Sequence, residues 1–143
     1  MNTKLLVVLI ALILTSVNSY ADEVPKIVID GLTAYKTSGY EEAFNVWLKG
    51  SPMESDKTTT MKLKGGFTQI ETFFGKMIGF NILKNFKISS MTTRVYLEAD
   101  YEKGPLFVYF DCYNSARGWI ISMMKFHTEA DKILPMDVLL KEK

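Results

Sequence analysis

Histidine and cysteine are nearly missing from this chain, with one of each in 143 residues. A single cysteine forms no internal disulfide and no thiolate cluster for zinc, and a single histidine builds no multi-histidine metal site. Neither sign of charge dominates. With 17 basic and 16 acidic side chains, the chain has no basic stripe of the kind that grips nucleic acid. Low-complexity segments, linkers and internal repeats are also absent. So are the serine elbow, phosphate loop, zinc-protease and calcium-loop patterns. At this length one domain is expected, with no cofactor and no nucleic-acid partner.

The one long apolar run is N-terminal. Lys4 precedes ten apolar residues, 5–14, and Ser19-Tyr20-Ala21 places small residues at the −3 and −1 positions of a cleavage site. That is the three-part pattern of a secretory signal peptide, and the run is short for a membrane span of about 30 Å. Cleavage after Ala21 removes one lysine and no acid, so the mature chain is charge-balanced. No cysteine stands at the cleavage site to carry a lipid, and no later stretch is long enough to span. The expected product is a soluble protein without a membrane anchor, in the periplasm or secreted, with residues 22–143 forming a single domain. In an exported chain the lone Cys112 raises the question of intermolecular pairing. Its place among Val108, Phe110 and Tyr113 favours a buried small hydrophobe.

Helices come first along the mature chain. Val24, Ile27, Val28, Leu32 and Tyr35 have helical spacing, which predicts a helix over 24–36. Ser38 and Glu41 match a capping box, and Tyr40, Ala43, Phe44, Trp47 and Leu48 form one face of a second helix that Gly50 and Pro52 stop. Ser55 or Asp56 caps a third helix, whose stripe runs Leu63, Phe67, Ile70, Phe73, Phe74, Met77, Ile78. Gly65-Gly66 interrupts that stripe at about 1 kcal/mol each relative to alanine, and reads as a kink or a close contact.

From Phe80 the period changes to two. A weak strand over 81–90 is followed by clean alternation in Val95, Leu97, Ala99 and Tyr101, then in Leu106, Val108, Phe110 and Cys112. A last strand covers 119–128, and Pro135 ends the sheet before a short tail. Helices followed by an antiparallel meander predict an α+β fold, with N-terminal helices packed on one face of a curved antiparallel sheet. Strict alternation puts Ile120, Ser122, Met124 and Phe126 on the helix-facing side. It puts Arg94, Tyr96, Tyr109, Asp111, Tyr113, Trp119, Ile121, Met123, Lys125 and His127 on the other. That second face is too aromatic for plain solvent. Tyr96, Tyr109, Trp119, Ile121 and Met123 predict a homodimer through it.

The layout, with Phe73-Phe74-Gly75-Lys76, the run from Tyr101 to Val108, Gly118-Trp119-Ile120-Ile121 and Phe126-His127-Thr128 before Ile133-Leu134-Pro135, resembles the nuclear transport factor 2-like superfamily of cystatin-like α+β cones. The likeness is to its small exported bacterial members. The resemblance implies a pocket between helices and sheet and dimerisation through the sheet. It leaves function open, because the superfamily holds dehydratases, isomerases and cyclases beside binding and accessory domains.

The pocket so implied would be lined by Phe67, Phe74, Leu97, Val108, Phe110, Cys112, Ser122 and Met124. It is apolar and suits an aliphatic or aromatic ligand better than a sugar or phosphate. Cys112 without a nearby histidine is a poor nucleophile. His127 and Asp111 are the weak catalytic candidates, as a base with an orienting carboxylate. Arg94 beside Asp111 reads as a polar site or as a cross-strand ion pair at a dimer rim. Met123-Met124 and Met136 read as core residues rather than metal ligands. The expected function is a non-catalytic exported binding or accessory module for a small apolar ligand or a partner. The alternatives are an isomerase- or dehydratase-type enzyme using His127 and Asp111, and an envelope accessory or inhibitor protein.

Overall fold

The computed structural model describes residues 23–141. The expected signal peptide, residues 1–21, lies outside the described residues. Three helices, α1 (Lys26–Ser38), α2 (Tyr40–Trp47) and α3 (Lys57–Phe74), precede four strands, β1 (Met77–Lys87), β2 (Thr92–Tyr101), β3 (Gly104–Ser115) and β4 (Gly118–His127). The strands form one antiparallel sheet in the order β1-β2-β3-β4, and the helices pack against one face of it. The fold is α+β, as the segregated periodicities require.

The helices form for local reasons that differ in part from expectation. Val28, Gly31, Leu32 and Tyr35 bury one stripe of α1. Ser38 is the last residue of α1, and no side chain caps α2, whose N-cap is Gly39. The Ser38–Glu41 capping box therefore does not form, because Ser38 is already helical where a cap residue must be extended. Asp56 does cap α3, accepting the Thr59 N–H at 3.0 Å and the Thr59 hydroxyl at 2.7 Å.

The helical stripe expected to run on through Met77 and Ile78 stops at Phe74. Gly75, at φ +80°, takes a conformation that L side chains rarely adopt, and a Cβ there would meet Glu102 Oε2 at 2.1 Å. Met77 and Ile78 open β1 instead. α3 runs unbroken through Gly65-Gly66. Gly66 lets the helix settle onto the sheet, since a Cβ would lie 2.6 Å from Phe126 Cζ.

Register sorts the sheet residues into rows. On the helix-facing side run Asn85–Val95–Phe110–Met124 and Ile82–Leu97–Val108–Phe126. On the other run Phe86–Arg94–Asp111–Met123, Lys84–Tyr96–Tyr109–Lys125 and Asn81–Glu98–Phe107–His127. β4 carries a bulge at Ser122: Asp111 opposes Met123, but Cys112 opposes Ile121. One extra residue reverses the phase of everything before it. Ile121, expected on the second face, is accordingly 0% exposed in the helix-side core. Ser122, expected in the interior, is exposed, with its hydroxyl donating to the Asp111 carbonyl at 3.1 Å.

The tail after β4 is also ordered. A 3-10 turn (Ala130–Lys132) and α4 (Met136–Leu139) fold back, and Ile133 and Leu134 pack on Tyr96 with Phe107, Tyr109, Val138 and Leu139. An ion pair from Lys84 to Asp137 ties this segment to β1. The chain itself thus covers part of the second face.

Candidate functional site

The space between helices and sheet is filled by rings. Phe67 stands 5.7 Å from Tyr35, 5.4 Å from Phe44, 6.3 Å from Trp47 and 4.8 Å from Phe126, centroid to centroid, and Trp47 stands 5.1 Å from Phe110. Of the residues expected to line an interior pocket, Phe67, Leu97, Val108, Phe110, Cys112 and Met124 come together, but as closely packed core. Phe74 is half-buried at the edge of that core, against Gly104.

Burial controls the titratable groups inside. The Tyr101 hydroxyl donates to Tyr35 at 3.0 Å, and the Tyr35 hydroxyl donates to Glu71 at 2.9 Å. Desolvation raises both phenols well above their ordinary range, and Tyr101 pushes Tyr35 further in the same direction. Burial pushes the Cys112 thiol up to about 12 from its ordinary 9.0, with a smaller contribution from Asp111. The folded state therefore holds these protons more tightly than the unfolded chain. Stability is full below about pH 9 and is expected to fall as pH climbs from there toward 12. Urea midpoints measured between pH 7 and pH 11 check this, and a flat profile would contradict it. By the same reasoning, Cys112 should resist a thiol reagent at pH 8 until urea unfolds the chain.

The two catalytic candidates are not brought together. His127 opposes Phe107 and Asp111 opposes Met123, four residues apart along β3, or about 13 Å. The His127 ring accepts the Glu129 N–H at Nδ1, 2.9 Å away. Both Asp111 oxygens accept from Arg94, at 2.6 and 2.8 Å, and the guanidinium lies over the Tyr109 ring at 4.1 Å. The Arg94–Asp111 pair is thus a bidentate cross-strand clamp. Among the described residues no group of three or more His, Cys, Asp or Glu side chains could hold a metal.

Of the five side chains expected on a dimer face, Met123 stays exposed, and Tyr109 is half-buried against the C-terminal segment and under Arg94. Tyr96 is covered by the C-terminal segment, Ile121 is buried on the opposite side, and Trp119 belongs to another feature.

That feature is a groove of about 730 Å³ where the helix layer meets the start of β4. Ile27 from α1, Val46 from α2, and Trp119 and Ile120 from β4 supply its apolar surface. Asp30, Asn45, Lys49, Glu54 and Arg117 supply polar groups around it. Trp119 remains 37% exposed. A smaller cavity of about 90 Å³ adjoins the same indole, with Asn85, Lys87, Ser89 and Thr93. The β3–β4 turn that presents Arg117 and Trp119 is set by Ser115, whose hydroxyl donates to the Gly118 carbonyl at 2.7 Å and accepts the Arg117 N–H at 3.2 Å. The sequence reading missed this groove because its walls come from three separated segments. The signal that could have exposed it is Ser122, the lone polar residue on an otherwise apolar face. A phase break there buries Ile121 and turns Trp119 toward the helices.

No protein-family model, curated protein or solved structure matches the chain. Among the described residues no helix is long and apolar enough to cross a membrane.

Proposed function

We propose that this chain is an exported binding module of the nuclear transport factor 2-like kind. Its ligand lies in the groove at the mouth of the helix–sheet layer, and it performs no catalysis of its own. The observation that carries this reading is the half-exposed Trp119 set among Ile27, Val46 and Ile120 in about 730 Å³ of space. That volume falls within the range of roughly 300–1,000 Å³ typical of small-molecule sites, which combine an apolar surface with a few polar groups. The filled core directs a ligand to this groove, and the separation of His127 from Asp111 disfavours the enzyme alternative.

The two tryptophans make the test direct. Trp47 is sealed in the core, so a ligand in the groove should change the emission of Trp119 alone. Titration with a neutral amphiphile, dodecyl maltoside below its micelle concentration, is expected to blue-shift emission and saturate. Trp119→Ala, which retains Trp47, should show no shift. An unchanged spectrum in the native protein would remove the groove from consideration.

A second copy of the chain is proposed to cover the row Phe86–Arg94–Asp111–Met123. Phe86 and Met123, 49% and 51% exposed, flank the Arg94–Asp111 clamp. Sedimentation at tens of micromolar should show a dimer that Met123→Asp converts to a monomer. A native monomer under those conditions would refute this arrangement.

A further inference from the structure

Two acids, Asp30 and Glu54, and two bases, Lys49 and Arg117, line the groove, and they do not pair with one another. Asp30 is engaged by Lys26 at 2.5 Å, and Glu54 Oε2 accepts the Gly50 N–H at 2.9 Å. Lys49 and Arg117 have no acidic partner within ion-pair distance among the described residues. These two cations come from different layers. Lys49 follows α2, and Arg117 sits in the Ser115-fixed turn between β3 and β4. The apolar surface of Ile27, Val46, Trp119 and Ile120 lies in the same groove. The lining thus combines an apolar surface with two cations free of ion pairs among the described residues, beside the carboxylates of Asp30 and Glu54.

We propose that the groove takes a single anionic amphiphile, a carboxylate with an aliphatic or aromatic body. The body lies on Trp119, and the carboxylate is shared between Lys49 and Arg117. This rests on the groove being the binding site. Arginine supplies a planar fork for a carboxylate, lysine supplies a point charge, and both are stronger partners for an anion than neutral donors. The occupant proposed is a free molecule rather than a bilayer headgroup, and the vesicle arm of the test separates the two.

The test uses three probes with the same twelve-carbon chain, each below its micelle concentration: laurate, dodecyl maltoside and dodecyltrimethylammonium. Trp119 emission reports binding. Laurate is expected to bind about tenfold more tightly than the neutral probe, and the cationic probe most weakly. The double substitution Lys49→Gln with Arg117→Gln removes two exposed, unpaired charges, so it should leave the circular dichroism unchanged. It should abolish the laurate preference and leave the maltoside affinity within about twofold. Equal affinity for all three probes, or a variant that still prefers laurate, overturns the anion assignment and leaves the groove standing. No emission change with any probe overturns the groove itself. Co-sedimentation with phosphatidylglycerol vesicles without laurate binding overturns the free-ligand assignment.

Discussion

Gly31→Ala is expected to lower the stability of the domain by about 3 kcal/mol, at the upper end of what overpacking costs. A Cβ on Gly31 would lie 1.9 Å from Trp47 Nε1 and 2.3 Å from Cδ1, far inside contact distance. The indole cannot retreat. It is almost fully buried, Phe44 and Phe110 pack against it, and its N–H donates to the Val28 carbonyl at 3.4 Å. Either α1 moves off α2 or Trp47 leaves its rotamer. For a domain of this size the melting temperature should drop by about 10 °C. Gly31 also lies on α1 between Ile27 and Leu32, beside the groove residue Asp30, so the same change should weaken ligand binding at Trp119. Unaltered stability would mean that α1 and α2 are not packed as closely as described.

Phe67→Ala is expected to cost about 3–5 kcal/mol, the range for truncating a buried aromatic residue. Phe67 touches Tyr35, Tyr40, Phe44, Trp47 and Phe126, rings that are too stiff and too well supported to collapse into the gap. The variant would then hold the apolar interior cavity that the native protein fills. Such a cavity stays dry and accepts a small apolar molecule. Benzene should therefore raise the melting temperature of Phe67→Ala and leave the native protein unchanged, because only a folded state that binds ligand is stabilised by it. A native protein that gains as much from benzene as the variant would show that the interior is not filled.

Much of this architecture is legible in the residues, and the failures have identifiable causes. The helical stripe Val28, Leu32, Tyr35 and the alternation from Val95 to Cys112 report which faces are buried, because one core serves both layers. Met77 and Ile78 mislead because they keep helical spacing past the glycine that ends α3. The bulge at Ser122 is invisible to alternation, since an extra residue shows only against the partner strand. That single residue moves Ile121 into the core and Trp119 to the groove. The C-terminal segment has too few residues for a period, yet Ile133 and Leu134 pack on Tyr96 and cover part of the second face. His127 and Asp111 share a face, but register places them in different rows. A groove assembled from α1, α2 and a turn has no contiguous signature at all.

Native mass spectrometry of the protein recovered from the cells that make it tests the central claim most directly. The proposal predicts a chain shortened by the 21-residue signal peptide, carrying a lipophilic anionic adduct that Trp119→Ala loses. A processed chain with no adduct in either form, or an adduct that Trp119→Ala retains, would contradict the account of the groove as the binding site.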